Sequence, residues 1–491
     1  MRAAVSDQVT LDRILPALEA HPASLVIAAT LAGTTAISFA GLRKRVDAAS
    51  AALAALGAGH GRRIGILGEN SLAWLVADLA SLTLGAVSVP FDPAQAWSIQ
   101  RLRKDWELEI LLTDAGSGPG ILCLAELASV DTAAEPSRPR HHYRADESYT
   151  IKFTSGTTAK PKAVAASAAH FNHMARHIDA MFPLGPDDTF VVFGSLATWL
   201  QRFMTQLCLL RGARLYIAKP EHATVVLERE RPTVVLGVPR LLESLHAVSR
   251  RRPGGLAATW GGRMRYLWTG SAPIDRSILD AYERASIPVY EGYGMTETGM
   301  IAKNYPGHCR IGSVGPPFPD KHVKLSGEGE ILVRNNYHAA DRYLFGEPGL
   351  FRPDGWVATG DLGRFDADGF LYVIGRIKDL IVLQSGHKVQ PSYVEEKLRN
   401  EISISDCIVL GDGRPHLVAV IVPREPDLPD SNLQAALDRI NASAPAHYLV
   451  LGFVRSAPFA SSGLTTPAGK LCRPAIADRF AAQLDALYQD K

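Results

Sequence analysis

The feature that most limits what this chain can fold into is a recurring local pattern. A short β-branched run meets a polar or glycine-bearing turn, and a helical stretch follows. It appears in RIGILGEN at 63–70, TVVLGVPRLLESL at 233–245, RYLWTGSAP at 265–273 and IPVYEGYG at 287–294. That unit builds parallel α/β sheets, whose ligands sit at the carboxyl ends of strands. At 491 residues the chain exceeds what one hydrophobic core usually serves, so two or more domains are expected. Near Gly375 the texture changes to the charged, glycine-punctuated GRIKDLIVLQSGHKVQPSYVEEKL, followed by a stretch of roughly domain size. The expected division is a large domain over 1–376 and a small one over 377–491.

Composition removes several classes of function. With 52 Lys and Arg against 50 Asp and Glu, and no long basic run, nothing offers the electrostatic footprint of a nucleic-acid binder. Five cysteines lie far apart with no CxxC pair, which argues against a disulfide framework or zinc knuckle and fits a reducing cytoplasm. Acidic residues near the N-terminus fall where a signal peptide would be apolar. The long apolar segment from Ser71 to Pro90 contains Asp78, Gly85 and Pro90, so it reads as a buried helix running into a buried strand, not a membrane span.

The densest chemistry is FTSGTTAKPKAV, from Phe153 to Val164. YTIKF before it reads as a strand, TSGTTAKPK as the loop leaving it, and AVAASAAHFNHMARHIDAMF as a helix. Hydroxyls, a glycine and lysines so close together suit a phosphate, although Ser, Thr and Gly also make ordinary turns. The spacing is not that of the common GxxxxGK[ST] loop, since Lys162 is followed by Ala163. In the helical stretch, His170, His173 and His177 share one face at i, i+3 and i+7. No cysteine or second carboxylate cluster accompanies them, so they read as packing or solvated side chains.

Four further stretches stand in order downstream: EGYGMTETG at 291–299, WVATGDLGRFDADGFLYVIGR at 356–376, KDLIVLQSGHKVQPSYVE at 378–395 and TTPAGKLCRP at 465–474. Singly they have structural explanations. Asp361 suits a turn, Glu297 a helix start, and Arg376 with Asp379 a surface pair. As a set they resemble the motifs of the adenylate-forming (ANL) superfamily, which includes acyl-CoA synthetases, over most of the chain.

The resemblance implies an α/β large domain of parallel-type subdomains plus a β-rich segment, and a small mobile α+β C-terminal domain. It implies an enzyme that uses ATP and Mg²⁺ to turn a carboxylic acid into an acyl adenylate, then passes the acyl group to CoA. A carrier-protein pantetheine or an amine is the alternative acceptor, and a non-catalytic nucleotide-binding protein is the remote one. By resemblance, Thr154, Ser155, Gly156, Thr157, Thr158 and Lys162 hold the β- and γ-phosphates. Gly270, Ser271 and Ala272 line the AMP site and Tyr293 stacks on adenine. Thr296 meets the α-phosphate and Glu297 binds Mg²⁺, while Asp361 and Arg376 take the ribose hydroxyls. Lys470 bridges the attacking carboxylate and the α-phosphate. Lys378 falls at the hinge, and Gly386 lines the pantetheine tunnel after the small domain rotates.

Two departures stand out. The family usually has glycine where this chain has Ala159 and Ala163, and a PLxH histidine facing the acyl pocket is replaced by Ala197, Thr198 and Trp199. Amino-acid-activating members of the family anchor the amine with an Asp in this region, and none lies between Val191 and Arg211, so the resemblance disfavours a free α-amino acid. Trp199, Phe203 and Trp268 are candidates for an apolar wall, though core packing explains each as well. The spacing from Arg376 to Gly386 resembles that of long-chain acyl-CoA synthetases and favours a fatty acid over an aryl acid.

Overall fold

The computed structural model describes residues 10–30, 33–116, 118–130, 140–154, 162–272, 274–337, 339–340, 342–345, 349–465 and 471–489. The chain divides into two compact units. One comprises 1–323, 333–357 and 367–371; the other comprises 324–332, 358–366 and 372–491.

Two mixed sheets organise the first unit. One has six strands in the order Ile121–Leu122, Ile110–Thr113, Arg63–Leu67, Val87–Phe91, Ser148–Phe153, Ala163–Ser167. Its pairings are parallel except the last, in which Ser148–Phe153 and Ala163–Ser167 pair antiparallel on either side of the TSGTTAKPK segment. The other has eight strands, with Tyr266–Gly270 parallel to Val289–Met295 and the latter antiparallel to Gly299–Lys303. Parallel strands buried on both faces need near-continuous apolar runs, which RIGIL at 63–67 and VSVPF at 87–91 supply.

The long apolar segment becomes the helix Leu72–Thr83 and the strand Val87–Phe91, as its sequence implies. Ser71 caps the helix by accepting from the Trp74 N–H. Asp78, buried on that helix, is held by Arg202 at 3.3 Å and by Gln206 at 2.9 Å. A buried carboxylate so partnered ties the helix to Trp199–Leu210. No helix among the described residues is long and apolar enough to cross a membrane.

Two local expectations are revised. AVAAS at 163–167 is a strand and the helix starts only at Ala168, because the antiparallel partner Ser148–Phe153 claims its backbone groups. The strand 289–295 is followed not by a helix but by a return strand, so Thr296 and Glu297 sit in a hairpin turn.

In the second unit, a three-stranded sheet of Ile404–Leu410, Leu417–Pro423 and Val450–Arg455 is covered on both faces. Leu417, Ala419 and Ile421 pack with Val394, Leu398, Leu433 and Leu437. Val418, Val420 and Val422 pack with Ile476 and Leu484. The alternation of the LVAVIVP strand thus serves two cores at once.

Candidate active site

The strand Ser148–Phe153 ends at Thr154, whose N–H donates to the Lys162 carbonyl at 2.9 Å and closes the base of the intervening loop. Ser155, Gly156, Thr157, Thr158 and Ala159 lie outside the described residues, as does Lys470. Lys162 is exposed, and its ammonium stands 4.7 Å over the Tyr343 ring. The Tyr343 hydroxyl donates to Glu297 Oε1 at 2.6 Å, a short charge-assisted bond. Burial and that bond to Glu297 raise the Tyr343 phenol above its ordinary value, so it stays a donor. The Thr296 hydroxyl donates to the Phe153 carbonyl at 3.3 Å. Lys162, Glu297, Thr296 and Thr154 are therefore gathered at the carboxyl end of one strand. Ala163 is buried in the strand, where its carbonyl accepts from the Leu344 N–H.

On the eight-stranded sheet, Gly270 ends the strand Tyr266–Gly270 opposite Gly292, one residue before Tyr293. A Cβ on Gly270 would stand 2.6 Å from the Gly292 carbonyl oxygen, so only glycine permits this approach. Ser271 follows with φ of +71°. A non-glycine residue held there is costly, and such strain concentrates at ligand sites. Gly270, Ser271 and Ala272 thus form a strained strap beside the strand that carries Tyr293.

Behind these residues lie buried cations that sequence reasoning missed. Lys152 is 3% exposed; its ammonium stands 3.2 Å from His170 Nε2 and 4.8 Å from the Trp199 ring. Burial drives it down to about 7 despite the opposing pull of Glu297. Burial, with Lys152 next, likewise holds His170 well below its usual value. Lys303 donates to the Tyr290 carbonyl at 3.0 Å and sits 4.2 Å from the Trp268 ring. It too is lowered to about 7 by burial, and burial raises its neighbour Glu291 to about 7. Trp268 and Phe203 are fully buried core residues, whereas Trp199 is half-buried and donates to the Tyr149 hydroxyl at 2.9 Å. His173 and His177 are not free either: both lie at ion-pair distance from Asp320. The i, i+4 spacing of these histidines was the available signal; Asp320, far away in sequence, gave none.

In the second unit, buried Asp361 pairs with Arg376 at 3.1 Å. Lys378 is exposed in a single 3-10 turn, Ile377–Asp379. Gly386 lies in the turn of the hairpin Ile381–Val382/Lys388–Val389 with φ of +81°, and no atom lies within 4 Å of where a Cβ would stand.

The family model for AMP-binding enzymes matches residues 17–344, and the model for the AMP-binding enzyme C-terminal domain matches 378–491. The chain belongs to the AMP-binding enzymes, and the resemblance read from its motifs holds for family and fold. A long-chain-fatty-acid–CoA ligase of Mycobacterium tuberculosis is 27% identical, with 92% of each chain covered. A feruloyl-CoA synthase of Amycolatopsis is also 27% identical, over 91% of this chain and 95% of that one. Among solved structures, ATP-bound MatB from Rhodopseudomonas palustris has a TM-score of 0.81 at 23% identity, covering 96% of this chain and 99% of that one. At that identity the likeness concerns the fold.

Proposed function

We propose that this enzyme is an AMP-forming acid–thiol ligase that joins a fatty acid to CoA through an acyl adenylate. The observation that carries the reading is the linkage of Lys162, Tyr343, Glu297 and Thr296 at the carboxyl end of Ser148–Phe153. In the first half-reaction a carboxylate oxygen bonds to the α-phosphorus of ATP while the bond to pyrophosphate breaks. In the second, a thiolate displaces AMP from the acyl carbon. Charge builds on phosphate oxygens in the first step, so donors and cations fixed in advance lower its barrier.

Thr154, Ser155, Gly156, Thr157, Thr158 and Lys162 would cradle the β- and γ-phosphates, and Thr296 would donate to the α-phosphate. Glu297, a carboxylate oriented by Tyr343, is the kind of hard oxygen donor that suits Mg²⁺. When bound, that ion neutralises phosphate oxygens. Gly270, Ser271, Ala272 and Tyr293 would hold the AMP moiety, and Asp361 with Arg376 the ribose. Lys470 would bridge the acid and the α-phosphate. We further propose that 1–376 and 377–491 act as domains that reorient about Lys378 between half-reactions, with Gly386 lining the path of the thiol, and that the enzyme works in the cytoplasm.

The fatty-acid reading draws on the mycobacterial relative and on the Arg376-to-Gly386 spacing. An aryl acid is the second reading, favoured by the feruloyl-CoA synthase at equal identity. Pyrophosphate release with ATP and Mg²⁺ across fatty, aryl and amino acids, each with and without CoA, tests all of this. Release that requires a fatty acid and is accelerated by CoA supports the proposal. Release confined to aryl acids transfers it to the second reading, and adenylate that forms but never reaches free CoA points to an amine or carrier-protein acceptor.

A further inference from the structure

On the helix Ala168–Met181, His173 and His177 are one turn apart and face the same way. His173 Nδ1 lies 3.4 Å and His177 Nε2 3.6 Å from Oδ2 of Asp320, and one ligand atom from each residue lies within 4.8 Å of the others. Two atoms bonded at about 2.0–2.1 Å to one tetrahedral ion stand roughly 3.3–3.4 Å apart. The cluster therefore needs little adjustment to close on such an ion.

Asp320 is only 7% exposed, and its carboxylate oxygens have no well-formed hydrogen bond from a described residue, the nearer imidazole, His173, standing off at 3.4 Å. A buried carboxylate in that condition is costly unless a cation completes it. The nearest ammonium, Lys321, spends its donors elsewhere: on the Thr298 carbonyl at 2.9 Å, Asn335 Oδ1 at 2.6 Å and the Tyr337 hydroxyl at 2.8 Å. The rings are oriented as well: His173 stacks on Tyr337 with centroids 4.3 Å apart, and His177 meets the Phe318 ring edge-on at 6.1 Å.

We propose that His173, His177 and Asp320 bind one divalent ion of the zinc class, leaving a fourth position for water. Two imidazoles and one carboxylate suit zinc or cobalt better than Mg²⁺ or Ca²⁺, which prefer all-oxygen shells. The ion clamps the helix that follows the phosphate-loop hairpin onto the segment ending at Asp320. Through Lys321 and the Thr298 carbonyl, that segment reaches the residue next to Glu297. The role is a structural brace, separate from the Mg²⁺ proposed at Glu297.

The test uses the full chain without an affinity tag, stripped by chelator and titrated with Co²⁺ while visible absorption is followed. One Co²⁺ per chain with tetrahedral-type bands, displaced by Zn²⁺, is expected. Asp320→Asn and His177→Ala should each weaken binding by more than about tenfold, since even outer partners of metal ligands are worth 10- to 100-fold. His141→Ala is the control, because His60, His141 and Glu147 form another cluster with ligand atoms within 4.8 Å. That variant should bind as the parent does. No stoichiometric Co²⁺ in the folded parent overturns the proposal, as does binding that survives Asp320→Asn but is lost in His141→Ala. A negative parent titration overturns the proposal even if a variant does not fold, and a positive one is then assigned by whether His141→Ala retains it.

Discussion

The two units differ in how they carry charged groups about the candidate site, although Lys162 of the first is exposed and Asp361 of the second is buried. In the first, Glu297, Lys152, Lys303 and Lys321 are buried among fixed partners. In the second, Arg376 is half-exposed and Lys378 exposed. Groups already desolvated and oriented need no rearrangement when charge develops, whereas long exposed side chains keep several positions open. Among these groups, those of the first unit are the more preorganised, and Arg376 and Lys378 of the second keep more positions open.

The largest break in that contrast is expected at Lys470. Lys470→Ala should cut adenylation by roughly 10²–10³-fold, the scale for deleting one charge-stabilising donor, while ATP affinity changes much less. Rates of acid-dependent pyrophosphate release would show it. A parental rate would mean that the decisive cation comes from the first unit instead.

The buried cations of the first unit make a prediction about stability. Folding holds Lys152 at about 7, while in the unfolded chain it titrates at the ordinary, higher lysine value. Between these values the unfolded chain binds the extra proton, so stability rises with pH across the window; below pH 7 the penalty for burying the charge is full. One such group contributes up to about 1.4 kcal/mol per pH unit. Lys152→Met should flatten the increase in denaturation midpoint between pH 7 and 9. An unchanged slope would show that Lys152 is solvated in the folded protein. Glu291, whose carboxyl is raised to about 7, acts in the opposite sense but only below that pH.

Tyr343 tests whether the Glu297 carboxylate must be oriented. A hydrogen bond to a charged group is worth about 1.5–3 kcal/mol, so Tyr343→Phe should slow adenylation roughly tenfold or more and raise the Mg²⁺ concentration needed for half-maximal rate. An unchanged Mg²⁺ dependence would separate Tyr343 from metal binding.

What the sequence disclosed follows the range of the interactions involved. The strand Ser148–Phe153 and the buried helix at Leu72–Thr83 were legible because periodicity is a local signal, and the order of the motifs disclosed the family. The AVAAS strand was not: its alanines favour a helix, and only pairing with Ser148–Phe153 overrides that propensity. Tyr343 gave no sign either, since its role depends on a contact with Glu297, 46 residues away. Asp320 was hidden for the same reason, and with it the partner of two histidines that looked solvated.

The smallest effect is expected at Gly386, where it divides two explanations of one residue. Space does not demand glycine, because no atom lies within 4 Å of a Cβ there; the positive φ of +81° does. If Gly386 serves only its hairpin turn, Gly386→Asn, which tolerates a left-handed backbone, should behave as the parent. Gly386→Leu should then slow both half-reactions alike through about 1 kcal/mol of backbone strain. If the turn also lines the path of the thiol, both variants should slow thioester formation several-fold while adenylation is spared. Single-turnover measurement of each half-reaction separates the cases. A selective loss in Gly386→Asn would assign the second unit a part in the transfer step that its exposed charges alone do not explain.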